Sequence, residues 1–171
     1  MKMQKEYLLY RKAITTDLPA LIALGVNAYG VYREVLGDEQ WAVMQKGLSD
    51  EVKIGQLLAD SECVVCEYNG LIVGMVYYLS SGHPWEMYPA DWAYIRLLGV
   101  HPKYARLGIG RRLMQQCVEM AKQSGEKVLA LHTSEMMNYA RQLYEAMGFV
   151  KTRDLPMRLG KHYWLYELRL V

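Results

Sequence analysis

The spacing of hydrophobic positions along the chain switches between a period of two and a period near 3.6, and each switch marks an element boundary. Tyr7-Leu8-Leu9-Tyr10-Arg11 reads as a short strand. Thr15-Thr16-Asp17-Leu18-Pro19 then supplies cap-forming residues and a first-turn proline, predicting a helix that runs to about Arg33. A second helical stretch covers broadly Glu39 to Leu58, interrupted by Gly47 and Gly55, with Ser49-Asp50 able to cap a restart. From Glu62 the period is that of strands: two β-rich runs, 62–68 and 71–79, flank Asn69-Gly70, a pair that accepts positive φ and so predicts a hairpin. Ser80 to Asp91 (SSGHPWEMYPAD) is then a loop of unusual length, the kind that often carries function.

The second half alternates strand and helix. Trp92 to Val100 is a strand, and the stripe Ile109, Leu113, Cys117, Met120, Ala121 marks an amphipathic helix that ends at Gly125. Val128-Leu129-Ala130-Leu131 is continuously apolar, as in a strand buried on both faces, so strand, helix and strand predict a parallel pair with a right-handed crossover. Met136, Met137, Ala140, Leu143, Tyr144 and Met147 line a further helix closed by Gly148, with strands near 149–152 and 163–170. No internal repeat or linker interrupts the order, and 171 residues suit a single α/β domain spanning 1–171.

Composition narrows the class. With 52% hydrophobic and 22% charged residues the chain is an ordinary globular protein, and a formal net charge of +2 gives it no strong drive toward nucleic acid or an acidic membrane. No apolar run approaches the roughly 20 residues that span a bilayer, and the first residues lack a secretory apolar segment, so the expectation is a cytoplasmic protein without membrane association. Three cysteines argue against a disulfide framework. Cys63-Val-Val-Cys66 has the spacing of a redox or zinc pair but falls in a strand, where positions three apart face opposite sides, and no metal is expected. The 14 tyrosines beside a single phenylalanine fit either a simple bias of composition or rings placed half in a cleft or at an interface, where the hydroxyl finds a partner.

Candidate chemistry concentrates in Leu98-Gly-Val-His-Pro-Lys-Tyr-Ala-Arg-Leu-Gly-Ile-Gly-Arg-Arg112. A strand end passes through a Gly- and Arg-rich loop directly into a helix, so unpaired N–H groups and the positive end of the helix dipole converge. Gly108 and Gly110 leave the backbone open to an anion, with Lys103, Arg106, Arg111 and Arg112 as countercharge. The spacing is not that of a Walker loop, and a dinucleotide fingerprint would need a third glycine where Leu113 stands. The same glycines also suit a tight helix entry beneath solvated arginines.

This segment resembles the acetyl-coenzyme A motif of the GNAT superfamily of N-acetyltransferases. Ala140-Arg-Gln-Leu-Tyr-Glu-Ala-Met-Gly-Phe149 is similar to the family's second signature, and Arg11-Lys-Ala-Ile-Thr-Thr-Asp-Leu-Pro-Ala-Leu to its first strand and helix. Two positions depart: Ala105 stands where the family usually has Gln or Arg, and Met137 where it often has Asn, with Asn138 next to it. The resemblance implies a mixed, mostly antiparallel α+β sheet, with a central parallel strand pair splayed around the cofactor and about four flanking helices. It implies acetyl-coenzyme A as cosubstrate, held by Leu98, Gly99 and Val100, by the loop Arg106, Leu107, Gly108, Ile109, Gly110 and Arg111, and by Asn138. It makes Tyr144 the general acid beside the departing sulfur, with a strand N–H near Leu98 or Gly99 facing the carbonyl oxygen.

The implied reaction is direct attack by a primary amine of a small molecule or peptide. The base that frees that amine is not identified; Asp91, Glu86 and then His83 in the long loop are candidates, and Tyr94 and Arg96 stand where many relatives carry a carboxylate. Tyr29, Tyr32, Tyr77, Tyr78, Trp85 and Tyr88 are candidates for the acceptor pocket. A non-catalytic acyl-coenzyme A binding module is the alternative, and duplex binding through the four basic loop residues ranks below both. The apolar run Tyr163-Trp164-Leu165-Tyr166 suits either a homodimer contact or a buried strand.

Overall fold

A computed structural model describes residues 7–171. Strand-period segments form β1 (Leu8–Lys12), β2 (Glu62–Tyr68), β3 (Leu71–Leu79), β4 (Ala93–Val100), β5 (Val128–Ser134), β6 (Val150–Arg158) and β7 (Lys161–Arg169). They join in one sheet of order β1-β2-β3-β4-β5-β7-β6, antiparallel throughout except for β4 beside β5. The helices are α1 (Leu18–Tyr29), α2 (Arg33–Leu36), α3 (Asp38–Leu48), α4 (Glu51–Asp60), α5 (Ile109–Gln123) and α6 (Asn138–Ala146). This is the mixed α/β architecture expected from the sequence, with more helical segments than the four anticipated.

The extra segments have local causes. The first helix stops at Tyr29 rather than near Arg33, passing through a 3-10 turn at Gly30–Tyr32 into the single turn of α2. Gly37, at φ 83, then separates α2 from α3. The predicted helix over 39–58 is broken at Asp50, whose carboxylate accepts from the Val52 and Lys53 N–H groups, while Gly47 and Gly55 stay inside helices. β6 runs well past the predicted end at 152 and closes a hairpin with β7 through Leu159 and Gly160, both at positive φ. As an edge strand that is exposed along most of its length and carries Pro156, it lacks the apolar alternation that marks the others.

Each face of the sheet has its own core. Ile109, Leu113, Met114 and Cys117 of α5 pack with Cys66, Val76 and Ile95 on one side. At about 1.5–3 kcal/mol for each large side chain buried, this row holds α5 firmly to the sheet. Leu21 and Leu24 of α1 and Leu57 of α4 pack with Cys63, Val65, Met75 and Tyr77 on the other. Cys63 and Cys66 thus face opposite sides, and all three cysteines are free and buried. Tyr163, Leu165 and Tyr166 are buried in β7 between β5 and β6, so the C-terminal apolar run is an interior strand. A third cluster, Leu36, Trp41 and Leu48, packs on Tyr32, Leu97, Met136 and Leu159 and brings α2 and α3 over the middle of β4. Among the described residues no helix is long and apolar enough to cross a membrane.

Candidate active site

β4 and β5 pair only at Ala93–Leu129 and Tyr94–Ala130, after which they separate. The cause is a bulge: Leu97 has φ 50, and the register of β4 on β3 shifts so that Arg96 faces Tyr77 while Gly99 faces Met75. The His101 N–H bonds to the Val73 carbonyl at 2.8 Å. Because alternate residues of an antiparallel ladder point toward the partner, Gly99 and His101 face β3, whereas the N–H and C=O of Leu98 and Val100 face the gap. The Leu98 carbonyl accepts the Tyr29 hydroxyl there at 3.0 Å. Gly99 therefore gives no free amide to the gap; its role is steric. A Cβ on it would stand 3.2 Å from Ala28 Cβ and 3.3 Å from Met75 Cε, so glycine lets α1 close on the strand.

Past β4 the chain makes a 3-10 turn at Pro102–Tyr104 and then two left-handed residues, Arg106 at φ 67 and Gly108 at φ 78. The first α5 bond runs from the Arg112 N–H to the Gly108 carbonyl at 3.0 Å. The N–H groups of Ile109, Gly110 and Arg111 therefore have no helical partner and aim outward with the positive end of the helix. The alternating backbone before them adds the concavity of an anion-binding nest.

A cavity of about 550 Å³ connects these features. Its walls include Leu98, Gly99 and Val100 of β4, Arg106, Gly108, Ile109, Gly110 and Arg111 of the loop and α5, Leu143 and Tyr144 of α6, and Tyr29 at the end of α1 with Val31 and Tyr32 just beyond it. Leu107 and Asn138 do not line it. The Leu107 side chain packs on the α5-side core, and the Asn138 side-chain oxygen engages the Arg141 guanidinium, while Met137 faces the cavity. Lys103 and Arg112 also lie off the wall, Arg112 over the Tyr10 ring.

Tyr144 reaches the cavity from the α5 side of the sheet, its ring 6.0 Å from that of Phe149. Burial, with smaller effects from Tyr32 and Cys117, raises its proton affinity well above that of a free phenol, so it stays protonated across the physiological range. Tyr29 is raised in the same way, chiefly by burial, and its ring lies 6.1 Å from that of Tyr32.

The long loop folds over the opposite face. Tyr88 stacks on Tyr94 at 4.2 Å, and its hydroxyl lies 2.7 Å from His132 Nδ1. Burial, reinforced by Arg158 and Arg96, lowers the His132 pKa to about 3, so the ring is neutral and Nδ1 accepts from Tyr88. His132 ends an otherwise apolar strand run, the one sequence signal that marked it, and that run read as structural.

The base candidates lie elsewhere. Glu86 is exposed and ion-paired with Arg158 at 3.3 Å, and His83 Nδ1 sits 2.9 Å from the Ser80 carbonyl. Asp91 is exposed and precedes β4, seven positions from Leu98 and so on the order of 20 Å away along an extended chain. None of these lines the cavity, nor does any other Asp or Glu among the described residues. Tyr78 is buried on the α5 side of the sheet and Tyr77 in the opposite core, neither on the cavity wall.

The profile of the Acetyltransferase (GNAT) family matches residues 28–149. A probable N-acetyltransferase camello of Xenopus tropicalis is 30% identical over 139 residues, covering 81% of this chain and 59% of that one. The L-amino acid N-acyltransferase MnaT of Escherichia coli is 27% identical over 100 residues, covering 58% and 56%. The chain thus spans less than two thirds of the length of these curated relatives. In fold it is similar to the PaiA N-acetyltransferase of Thermoplasma acidophilum in complex with coenzyme A, with TM-score 0.78, 15% identity, and 95% and 98% of the two chains covered. A GCN5-related N-acetyltransferase structure from Rhodopseudomonas palustris gives TM-score 0.79 at 18% identity, covering 99% and 100%.

Proposed function

The chain belongs to the GNAT family of acetyltransferases, and on that premise we propose that it carries an acetyl group from acetyl-coenzyme A to a primary amine, the amine attacking directly while both are bound. The observation that supports this most is the continuity of one cavity from the open helix entry at Gly108–Arg111, along the free edge of β4, to Tyr144. The lining suits a long thioester with a diphosphate. The N–H groups of Ile109, Gly110 and Arg111 suit the diphosphate, and a side chain at Gly110 would fill the space toward Leu143 and Val100. The N–H and C=O of Val100 and the C=O of Leu98 suit the amides of an extended arm added as a strand, leaving the Leu98 N–H free. Acetyl-coenzyme A, bound there, supplies an acyl group already activated as a thioester.

The chain's own residues then do three things. The Leu98 N–H, aimed into the gap, meets the negative charge that gathers on the carbonyl oxygen. Tyr144, kept protonated by burial, gives a proton or hydrogen bond to the departing sulfur. Tyr29 and Tyr32 close the α1 side against water. A primary ammonium with pKa near ~10 is the free nucleophile in about one molecule per thousand at neutral pH, and with no carboxylate on the described wall that fraction is what the site draws on. MnaT acts, by its name, on L-amino acids, which supports a small free amine as acceptor.

Incubation of the protein with acetyl-coenzyme A and an amine panel should release free thiol, and calorimetry should register cofactor binding. No binding at millimolar cofactor overturns the reading. The lack of a wall carboxylate also favours a second reading, a non-catalytic acyl-coenzyme A binding module; saturable binding without thiol release on any amine would establish it.

A further inference from the structure

The face of β4 opposite α5 holds a charge that acetyl transfer leaves without a task. Arg96 is half-buried, lies two residues before Leu98, and rests its guanidinium on the Trp85 ring at 3.8 Å from the centroid. Among the described residues no Asp or Glu forms an ion pair with it. Glu86, whose charge reaches it, is instead 3.3 Å from Arg158. The nearest carboxylate charge is thus engaged by Arg158, and Arg96 is left against an aromatic group in which the ring of Trp85 lies 6.1 Å from that of His132, and His132 6.2 Å from Tyr163. Arginine does not shed its proton in such a place, and a half-buried cation lacking an anionic partner is costly.

Its position is close to the reaction. Arg96 does not itself line the cavity of about 550 Å³, but the Trp85 ring on which it rests lies 6.1 Å from the ring of His132, two residues past Ala130, where β5 leaves β4 and the gap opens. From Arg96 to Leu98 is about 7 Å along the strand, a span that the arginine side chain covers.

We propose that Arg96 is the specificity residue for the acceptor and binds its carboxylate, so that the substrate is an amine of the α-amino acid type, with nitrogen and carboxylate one carbon apart. The inference rests on the acetyl-transfer reading. Nitrogen directed at the gap beside Leu98 puts such a carboxylate against Arg96, while an apolar side chain meets Tyr32, Leu97 and Tyr163. A polyamine, by contrast, would bring a second cation toward Arg96, a like-charge contact that discriminates against it.

The test compares initial rates on L-leucine and L-phenylalanine with those on isopentylamine, phenethylamine and the two amino acid amides. Wild-type kcat/KM should favour each acid over its decarboxylated and amidated counterparts by about 100-fold, the scale of a charge-assisted pair in a dry site. Arg96→Gln should collapse that ratio toward one, chiefly through KM for the acid, and Arg96→Lys should restore part of it. Equal use of acids and amines by the wild type, or a ratio unchanged in Arg96→Gln, overturns the proposal. The wild-type comparison stands by itself if a variant does not fold. Calorimetry of N-acetyl-L-leucine against protein saturated with coenzyme A reads the same site without turnover. Should no acceptor release thiol, the transfer reading fails, and the carboxylate site is decided by that titration: binding lost in Arg96→Gln upholds it, and no binding to wild type removes it.

Discussion

The hydroxyl of Tyr29, the last residue of α1, donates to the carbonyl of Leu98 at 3.0 Å, on the edge of β4 that β5 has left. The bond ties the helix above the cavity to the strand that forms its wall. Removing the donor in Tyr29→Phe leaves the ring packed near Gly99 and should cost about 1 kcal/mol of unfolding free energy, the net worth of a typical hydrogen bond. Urea denaturation with an unchanged slope and a lower midpoint is the expected result. An unshifted midpoint would show that water replaces the contact without loss.

A second close approach sets the helix entry. A Cβ on Gly74 of β3 would stand 2.6 Å from Ile109 Cγ2 and 3.3 Å from Leu113 Cδ1, so α5 sits where it does only because residue 74 has no side chain. Gly74→Ala should therefore displace the first turn of α5, destabilise the fold by about 1–3 kcal/mol, and weaken acetyl-coenzyme A binding as well. Gly70→Ala is the control: it strains a turn at φ 78 with nothing within 4 Å, and it is not on the cavity wall. Calorimetry should show the cofactor affinity reduced only in Gly74→Ala. Equal affinity in the two variants would separate α5 placement from cofactor binding.

These two contacts mark the limit of what was legible in the chain. The β2–β3 hairpin, the parallel pair of β4 and β5, the α5 stripe and the open loop at Gly108 and Gly110 followed from local period and turn chemistry. The Leu97 bulge did not, because its positive φ on a leucine comes from register on β3 and from the third core cluster, not from residue type. Gly74 read as an ordinary strand position, since its neighbour Ile109 is 35 positions away. The loop carboxylates Glu86 and Asp91 are base candidates on residue type alone, whereas their place off the cavity wall is a property of how the loop folds. Likewise His132 gained chemical interest only through Tyr88, brought to it across 44 positions.

Tyr144 is buried, protonated, and on the cavity wall. Tyr144→Phe keeps the ring on Phe149 while removing the proton, so kcat should fall by about 100-fold, the lower end of general acid catalysis, with cofactor affinity nearly unchanged. Stopped-time thiol release and a parallel cofactor titration distinguish the outcomes. An unaltered kcat takes Tyr144 out of the acid role, and a matched loss of affinity makes it a wall residue only.

The pH dependence of transfer follows from which groups face the cavity. No Asp or Glu among the described residues lines it, and His132 holds its neutral form down to about pH 3. Between pH 6 and 8.5 no protein base on the wall changes charge, and the supply of free amine rises tenfold per unit, since the substrate's pKa lies near ~10. The logarithm of kcat/KM for the amine should climb with a slope of about one across that window. A plateau beginning near neutrality would reveal a protein base and return attention to the loop carboxylates.

His132 links the same neutrality to stability. Unfolded, the ring takes a proton near its ordinary 6.5; folded, it resists until about 3, because burial and the neighbouring Arg158 and Arg96 disfavour the cation. The unfolded state therefore binds more protons between these values, so stability is fully present above about pH 6.5 and declines as pH falls toward 3. The greatest slope is about 1.4 kcal/mol per pH unit, for a total on the order of a few kcal/mol. Asp17 adds loss in the same direction only at lower pH, since hydrogen bonds from Arg11 hold its carboxyl below the usual range. Thermal midpoints measured from pH 7.5 to 4.5 separate the two: His132→Asn retains an acceptor for the Tyr88 hydroxyl but has no proton to take, and its curve should flatten across that interval. If wild type and variant lose stability in parallel, the acid sensitivity arises elsewhere and His132 is merely a packed ring.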